Sequence, residues 1–515
     1  MKRYVMFVMT ALVVLGVVLS ACGTAATPAA PAAPAAPQVV TKEVVVTKEV
    51  VVTKEVQVTV AAPAATEAPT PVPTPTIQPP VLTGGEGCDP AAIKLTWYIG
   101  LGAGSNADVI PAEKAWAEKY NKSQKAACLL LNIVYNDGGG GNSYNALRAL
   151  IAAGNAPDIV GPVGKNGRAS FQGAWADVGQ LAKGAGFDLS QYDPKLLDFT
   201  KDEGVLVGLP FALFPSFIYY NTKLFDEAKL PYPPHKVGEK YDGKEWNLET
   251  FSELAQKLTV DKNGNDATSP DFDLKNVTQF GFYDQWTDAR GVAVLFGGGI
   301  PYDEKTKSAV IPDSYVKAWK WYYDGIWNKH FMPTADYYNS DQFNKGNVFP
   351  SGNLAMARVH TWYTCCFDNS KMQWDIAVMP IINGKITAKL HGDTFAIMDE
   401  SKNKDVAFKV LSDMVVDPEL NVIYGGIPAK EAARPAFFAS LDKKAAPNKI
   451  DWSVAVEMLK YPDLPNHEAW LPSLAQANSL LGAFRTTMDS TPLLDVDAAI
   501  AKLKSDLDAA YKAAP

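Results

Sequence analysis

From residue 93 onward, apolar runs of strand length alternate with stretches whose apolar residues recur at helical spacing. Residues 93–99 read as a strand, followed by a glycine-rich loop over 100–106 and a helix carrying Ala115, Trp116 and Tyr120. A second strand, 129–135, runs into Asn136, Asp137 and four glycines, after which Ser143 is placed to cap a helix whose Leu147, Leu150 and Ile151 share a face. Residues 157–160 give a third short strand, opening again into a loop at Gly161 and Gly164. This order predicts an α/β fold with a mixed, mostly parallel sheet flanked by helices, and ligand loops at the carboxyl ends of its strands.

The pattern shifts between Val205 and Ala228. Two apolar runs, 205–213 and 217–220, are separated by Pro215 and Ser216 and predict two buried strands crossing from one body to another. Asn221 and Thr222 then stand at a helix cap, with Leu224, Phe225 and Ala228 following at helical spacing. Further on, 246–259 predicts a helix with Phe251, Leu254, Ala255 and Leu258 on one face, and 279–282 a strand. Trp319, Tyr322, Tyr323, Ile326 and Trp327 have helical spacing and read as core. Residues 376–380 read as a second crossing, 394–398 as a strand, 401–411 as a helix start and helix, and Asp417-Pro418 as a third crossing. A final helix from about Leu494 presents Val496, Ile500, Leu503, Leu507 and Tyr511 as a core face.

The N-terminus carries a different kind of signal. Lys2 and Arg3 precede an apolar run that ends at Leu19, Ser20, Ala21 and Cys22, the layout of an export signal. Its roughly 16 apolar residues fall short of the ~20 that span a bilayer. The Leu-Ser-Ala-Cys order followed by Gly23 resembles the lipobox of bacterial lipoproteins, which implies Cys22 as the lipidated residue and a membrane anchor on the extracellular face. Residues 23–83 offer no core: Ala-Pro runs flank a hexad, Val40-Thr41-Lys42-Glu43-Val44-Val45, that recurs from Val46 and Val52. They read as a disordered tether, able to reach about 190 Å if extended, and the valine-rich hexads could instead pair as strands.

Composition narrows the function. With 47% hydrophobic and 20% charged residues the 515-residue chain is of ordinary globular type, and a formal net charge of -8 argues against a nucleic-acid partner. Of five cysteines, Cys22 is assigned to lipid. Cys88 and Cys128 each lie just before one of two neighbouring parallel strands and are expected to form a disulfide, whereas Cys365 and Cys366 are either a vicinal disulfide or a free pair. Residues 102–107 fit G-x-G-x-x-A after a strand, but an exported chain meets little dinucleotide, and Asp137 lies about 30 residues past the motif where about 20 is usual. Residues 261–266 have the alternating oxygen ligands of a calcium loop without its Gly or terminal Glu, so a turn is the simpler reading. The five histidines show no HExxH and there is no G-x-S-x-G, so no catalytic residue, metal or cofactor is assigned.

Several blocks in order resemble the extracellular solute-binding proteins of bacterial ATP-driven (ABC) importers, the family of the maltose-binding protein. They are Gly208-Leu209-Pro210-Phe211 before Tyr219-Tyr220-Asn221 and Leu224-Phe225; 149–160; Phe343, Gly346, 354–356 and Trp362; 401–404; and 425–429. The departures are an insertion between Gly346 and Ala355 and His360 in place of a usual Gly. The resemblance implies a type II, two-lobe fold with three hinge crossings: first lobe 88–208 and 378–416, second lobe 209–377 and 417–515. It implies a monomer that captures a small solute by hinge closure, without chemistry, and presents it to ABC permease subunits. For the ligand, Trp286 and Trp362 are candidate stacking rings for a saccharide, with Asp288 or Gln285 taking hydroxyls and Tyr363 beside them. Ser105, Asn106, Ser143, Tyr144, Gly161, Gly392, Asp393 and Gly426 are the other expected ligand contacts. An amino-acid or peptide ligand is the alternative and would need an arginine such as Arg148, Arg168, Arg290 or Arg358 for its carboxylate; a secreted glycosidase or a cell-wall adhesin are the others.

Overall fold

Alternation along the first strand sets two faces: in β1 (Ile93–Ile99), Leu95, Trp97 and Ile99 enter one buried cluster and Tyr98 another. The computed structural model describes residues 82–103, 109–134 and 141–513, except the side chains of 141, 142 and 365. The signal segment, Cys22, the tether up to residue 81, and Ser105 and Asn106 lie outside the described residues. The described part falls in the unit Ile77–Pro515.

β2 (Ala127–Ile133) runs parallel to β1 from Ile93↔Ala127 to Ile99↔Ile133, and β3 (Ile159–Val163) lies parallel on its other side. The helices between these strands cover opposite faces. Ile110–Ser123 places Trp116 and Ala117 in one cluster, and Gly141–Ala152 places Leu147 and Leu150 in the other. The second helix begins before Ser143, which therefore sits inside its first turn and is not its cap. Cys88 and Cys128 are bonded, as expected from the strand starts, and Cys366 is also disulfide-bonded. Thr83, expected within the tether, instead exchanges two backbone hydrogen bonds with Leu131 at the edge of the sheet.

The remaining long strands are β4 (Gly208–Asn221), β5 (Val277–Asp284), β6 (Leu354–His360), β7 (Trp374–Ala377) and β8 (Leu390–Ile397). The sheet of ten strands runs β2-β1-β3-β8-β4-β6-β5, with Val260–Asp261 at the far edge and β7 and Ile427–Pro428 also paired to β4. The two apolar runs expected as separate strands are one: β4 is continuous through Pro215, and all 14 of its residues are buried. Proline does not break it because the partner changes there. β8 pairs up to Leu390↔Pro215, and β6 takes over at His360↔Ser216, so the missing N–H falls at the changeover. Ser216 restarts the ladder, its N–H donating to Lys389 O and its Oγ accepting from Lys389 N–H, both at 2.8 Å.

β4 is thus shared by two halves with separate cores. The second core is the larger, gathering Phe217 to Tyr220, β5, β6, and the expected aromatic stripe; Trp319 and Tyr322 are fully buried and Trp327 partly so. Asn221 caps Thr222–Ala228 through Leu224 N–H, as its position predicts. Asp261 accepts from the N–H groups of Asn263, Asn265 and Asp273, which is the turn reading of 261–266. The third crossing needs correction. Asp417 caps the helix Pro418–Tyr424, whose Leu420 and Tyr424 pack in the first half's core, and the chain changes halves only after Ile427–Pro428 has paired with β4. The helix Arg434–Ala445 then buries Phe437 and Leu441 in the second core. In the last helix, Val496–Lys512, Ile500, Leu503, Leu507 and Tyr511 are buried as expected. Among the described residues no helix is long and apolar enough to cross a membrane.

Candidate functional site

The ends of β5 and β6 carry the candidate rings. The two parallel strands are clamped there by Arg358, whose Nε donates to Asp284 Oδ1 at 2.9 Å, both side chains being buried. Just beyond, Gln285 Nε2 donates to Gly346 O at 2.7 Å and its Oε1 accepts from Val348 N–H. That anchor presents Trp286 outward: it is 46% exposed, has a left-handed backbone (φ 48°), and its Nε1 also donates to Gly346 O. Trp362 follows β6 in the short turn Thr361–Cys365. The two indoles lie almost parallel, 5.9 Å between centroids and 5° between planes, an offset stack. Tyr363 stands edge-on beneath both and is fully buried, donating to Asn347 Oδ1. It supports the rings and is not itself open to a ligand, contrary to expectation.

Beside Trp286 lies a cavity of about 330 Å³ that draws residues from distant parts of the chain. Trp286, Thr287, Asp288 and Arg290 come from the second half, Lys389 from just before β8 and His391 from within it, His467, Glu468 and Asn478 from the C-terminal segment, and Asn166 from the short helix Lys165–Ala169 after β3. Asp288 caps the helix Ala289–Ala293 with one carboxylate oxygen, accepting from Gly291 N–H. Lys389 Nζ donates to Thr287 Oγ1 at 2.7 Å, and burial pushes its ammonium down to about 8. Glu468 is raised by burial but held well below the usual carboxylate range, chiefly by His391, whose Nδ1 stands 3.1 Å from its Oε1. His467 pairs through Nδ1 with buried Asp463 at 2.8 Å. A larger groove of about 630 Å³ lies elsewhere, lined by Glu249, Trp321 and Ile381 among others, and none of the candidate ligand contacts lines it.

The other expected contacts divide into two groups. Tyr144 is half-buried and stacked on Phe171; it is hydrogen-bonded to Asn166 and feels the charges of Glu468 and Asp393, and burial pushes it up to about 12. Asp393 accepts from Ala103 N–H, and burial pushes its carboxyl up to about 6 against that bond. Both lie in the first half, Tyr144 against Asn166, and neither is among the residues that line the cavity. Four other positions are packing. Ser143 is buried in its helix, its carbonyl accepting from Tyr98 Oη. Gly161 gives its carbonyl to Trp97 Nε1, and a Cβ there would meet the Phe395 ring at 2.5 Å. A Cβ on Gly392 would meet the Phe199 ring at 2.6 Å, and one on Gly426 would meet Ala212 Cβ at 2.4 Å. These glycines permit close packing of side chains against the backbone and do not line the cavity.

The arginines an acidic ligand would need are largely engaged. Arg358 holds Asp284, and Arg168 is buried with donors on Val163 O, Thr394 Oγ1 and Phe199 O. Arg290 reaches the cavity but spends both terminal nitrogens on Ala469 O at 3.1 Å. Arg148 lies on the surface over Phe171. His391, His467, Glu468, Asn166 and Asn478 were not legible as a set: they come from separate stretches of chain, and no motif joins them.

Two half-sheets sharing one long strand, with a cavity at their junction, define a type II periplasmic-binding-protein fold. The model of the family "Bacterial extracellular solute-binding protein" matches residues 103–415, well over half of the chain, and the chain belongs to that family. No curated protein sequence gives a significant match. Solved structures with the same fold include UspC of M. tuberculosis, 19% identical with a TM-score of 0.61, covering 81% of this chain and 100% of that one. The ABC substrate-binding protein Lmo0181 from Listeria monocytogenes, in complex with cycloalternan, is 19% identical with a TM-score of 0.60 over 81% of this chain and 98% of that one. Maltose-bound MalE3 of T. maritima is 16% identical with a TM-score of 0.56 over 81% and 99%.

Proposed function

We propose that this chain is the membrane-tethered, extracellular substrate-binding protein of an ABC importer, capturing a sugar or oligosaccharide by hinge closure and delivering it to the permease. The observation that carries the reading is the stacked pair Trp286 and Trp362 beside a cavity whose polar groups come from both halves of the fold. An exposed indole face packs against the C–H face of a sugar ring, and carboxylate, amide and ammonium groups around it take hydroxyls. The sugar-bound relatives share the fold and point the same way. A free amino acid is disfavoured because its carboxylate would want a bidentate arginine, and those near the cleft are committed elsewhere. The lipid anchor rests on Cys22 and its flanking residues. Trapping a solute needs two halves that move about a few residues, and the changes of strand partner beside Pro215 and Ile427 support that reading as the points where the halves would turn.

Titrating the intrinsic tryptophan fluorescence of the protein with maltose, maltotriose, cycloalternan and a set of amino acids tests the ligand class. Saturable change with a saccharide and none with amino acids is expected. Saturation by an amino acid alone would overturn the saccharide assignment, and hydrolysis of the sugar during the titration would overturn the assignment to a binding protein.

A further inference from the structure

The polar end of the cavity holds a donor set that sugar recognition does not require. One ligand atom from each of His391, His467 and Glu468 lies within 4.8 Å of the others, and the two imidazole rings are 4.9 Å apart, edge to face. Two imidazoles and a carboxylate are the donors that zinc and its neighbours prefer, at about 2.0–2.2 Å, with a fourth position left to water or another oxygen. Bringing the three donors onto one ion takes side-chain shifts of about an ångström.

We propose that His391, His467 and Glu468 bind one divalent late first-row transition-metal ion, of the zinc type, in the cleft. Two observations independent of the clustering support it. The first is the shell behind His467. Asp463 is fully buried and accepts from His467 Nδ1 and from the N–H groups of His467 and Leu390, each at 2.8 Å. The carboxylate fixes the proton on Nδ1 and leaves the Nε2 lone pair for a ligand, which is the outer-shell arrangement that orients metal-binding histidines. The second is an unsatisfied acceptor. Glu468 Oε1 faces His391 Nδ1, but its buried Oε2 has no hydrogen-bond partner among the described residues. A buried carboxylate oxygen without a donor is costly, and a cation bound at that oxygen would remove the cost. A histidine nitrogen binds a metal only through its lone pair, so ligation at the His391 nitrogen facing Glu468 requires that nitrogen to carry no proton.

This inference goes beyond the saccharide reading: zinc binding is measured with no sugar present, and either can fail while the other stands. The full chain, stripped with EDTA and dialysed, is titrated calorimetrically with zinc chloride, and with cobalt(II) under absorption spectroscopy. One zinc per chain is expected, with affinity falling at least tenfold in both Glu468→Gln and His391→Gln and unchanged in His330→Ala, which alters a histidine outside the cluster. Cobalt should give weak visible bands of nitrogen and oxygen ligation. Absence of zinc binding in the wild-type chain, undiminished binding in the two variants, or an intense near-ultraviolet thiolate band would overturn the proposal. Circular dichroism of the metal-free variants checks their folding, and if neither folds the cobalt spectrum of the wild-type chain decides between imidazole and thiolate ligation.

Discussion

Replacing Trp286 with alanine separates a binding surface from a packing surface. The side chain is 46% exposed, so of the roughly 250 Å² that a tryptophan can bury about 115 Å² remains open to a partner. A sugar lying on one face would cover about half of that. At about 25 cal/mol per Å² the lost contact is roughly 1.5 kcal/mol, or about tenfold in affinity. The folded state should lose little, because Trp286 contributes one hydrogen bond to Gly346 O, an offset stack on Trp362 and an edge contact with Tyr363, and its half-exposed side chain leaves no core cavity. Removing the ring from a residue with φ of 48° leaves the backbone conformation as costly as before, so Trp286→Gly should bind like the alanine variant but melt slightly higher. Fluorescence from the remaining tryptophans, or calorimetry with maltotriose, gives the affinity, and a thermal melt gives the midpoint. Unchanged affinity together with a large fall in the midpoint would mean that the ring is structural and that the solute lies elsewhere.

Three further expectations concern the rest of the molecule. The Cys88–Cys128 bond closes a 40-residue separation, and serine at both positions should cost about 4 kcal/mol on the chain-entropy model, read as a lower urea midpoint; an unchanged midpoint would refute that magnitude. Burial pushes the fully buried Glu113 carboxyl up to about 7, against a weaker downward pull from Tyr424. The folded state therefore keeps a proton that the unfolded chain releases near pH 4.3, and stability is full below that value and declines as pH rises to about 7, by on the order of 3 kcal/mol. Glu113→Gln should flatten the urea midpoint between pH 5 and pH 8, and an identical pH dependence in the variant would count against the assignment. Cys22→Ala should move the protein from the membrane fraction to the medium or leave it uncleaved, whereas membrane retention of a correctly processed form would exclude the lipid anchor.

Elements that depend on local period were legible in the sequence. The strand at 93–99, the cap at Asn221 and the final helical stripe stand where the residue pattern places them, because each is fixed by neighbours within a few positions. Features that depend on a distant partner were not. Pro215 reads as a break until β8 and β6 are known to exchange places beside it. Gly161, Gly392 and Gly426 signal close approach, but the sequence does not say that the approaching group is Phe395, Phe199 or Ala212 and not a ligand. Trp362 and Tyr363 are adjacent, and only the turn that follows β6 decides which ring stays partly open and which is fully buried. The polar end of the cavity was the least legible part, since His391 and His467 meet only when β8 and the C-terminal segment are laid side by side.

The same residues join the crossings to the cavity. Lys389 is tied through its backbone to Ser216, where β4 changes partner, and through its ammonium to Thr287, one residue from the exposed indole. His391 follows two residues later on β8, and Asp463 holds both Leu390 N–H and His467. In the proposed hinge closure, rotation about the strand junction would alter the cavity, because the segment that links the halves supplies part of its wall. On the proposed reading, a solute or ion bound to Lys389 and His391 would interact directly with the segment that joins the halves, and its binding energy would select a closed arrangement without a relay through the cores.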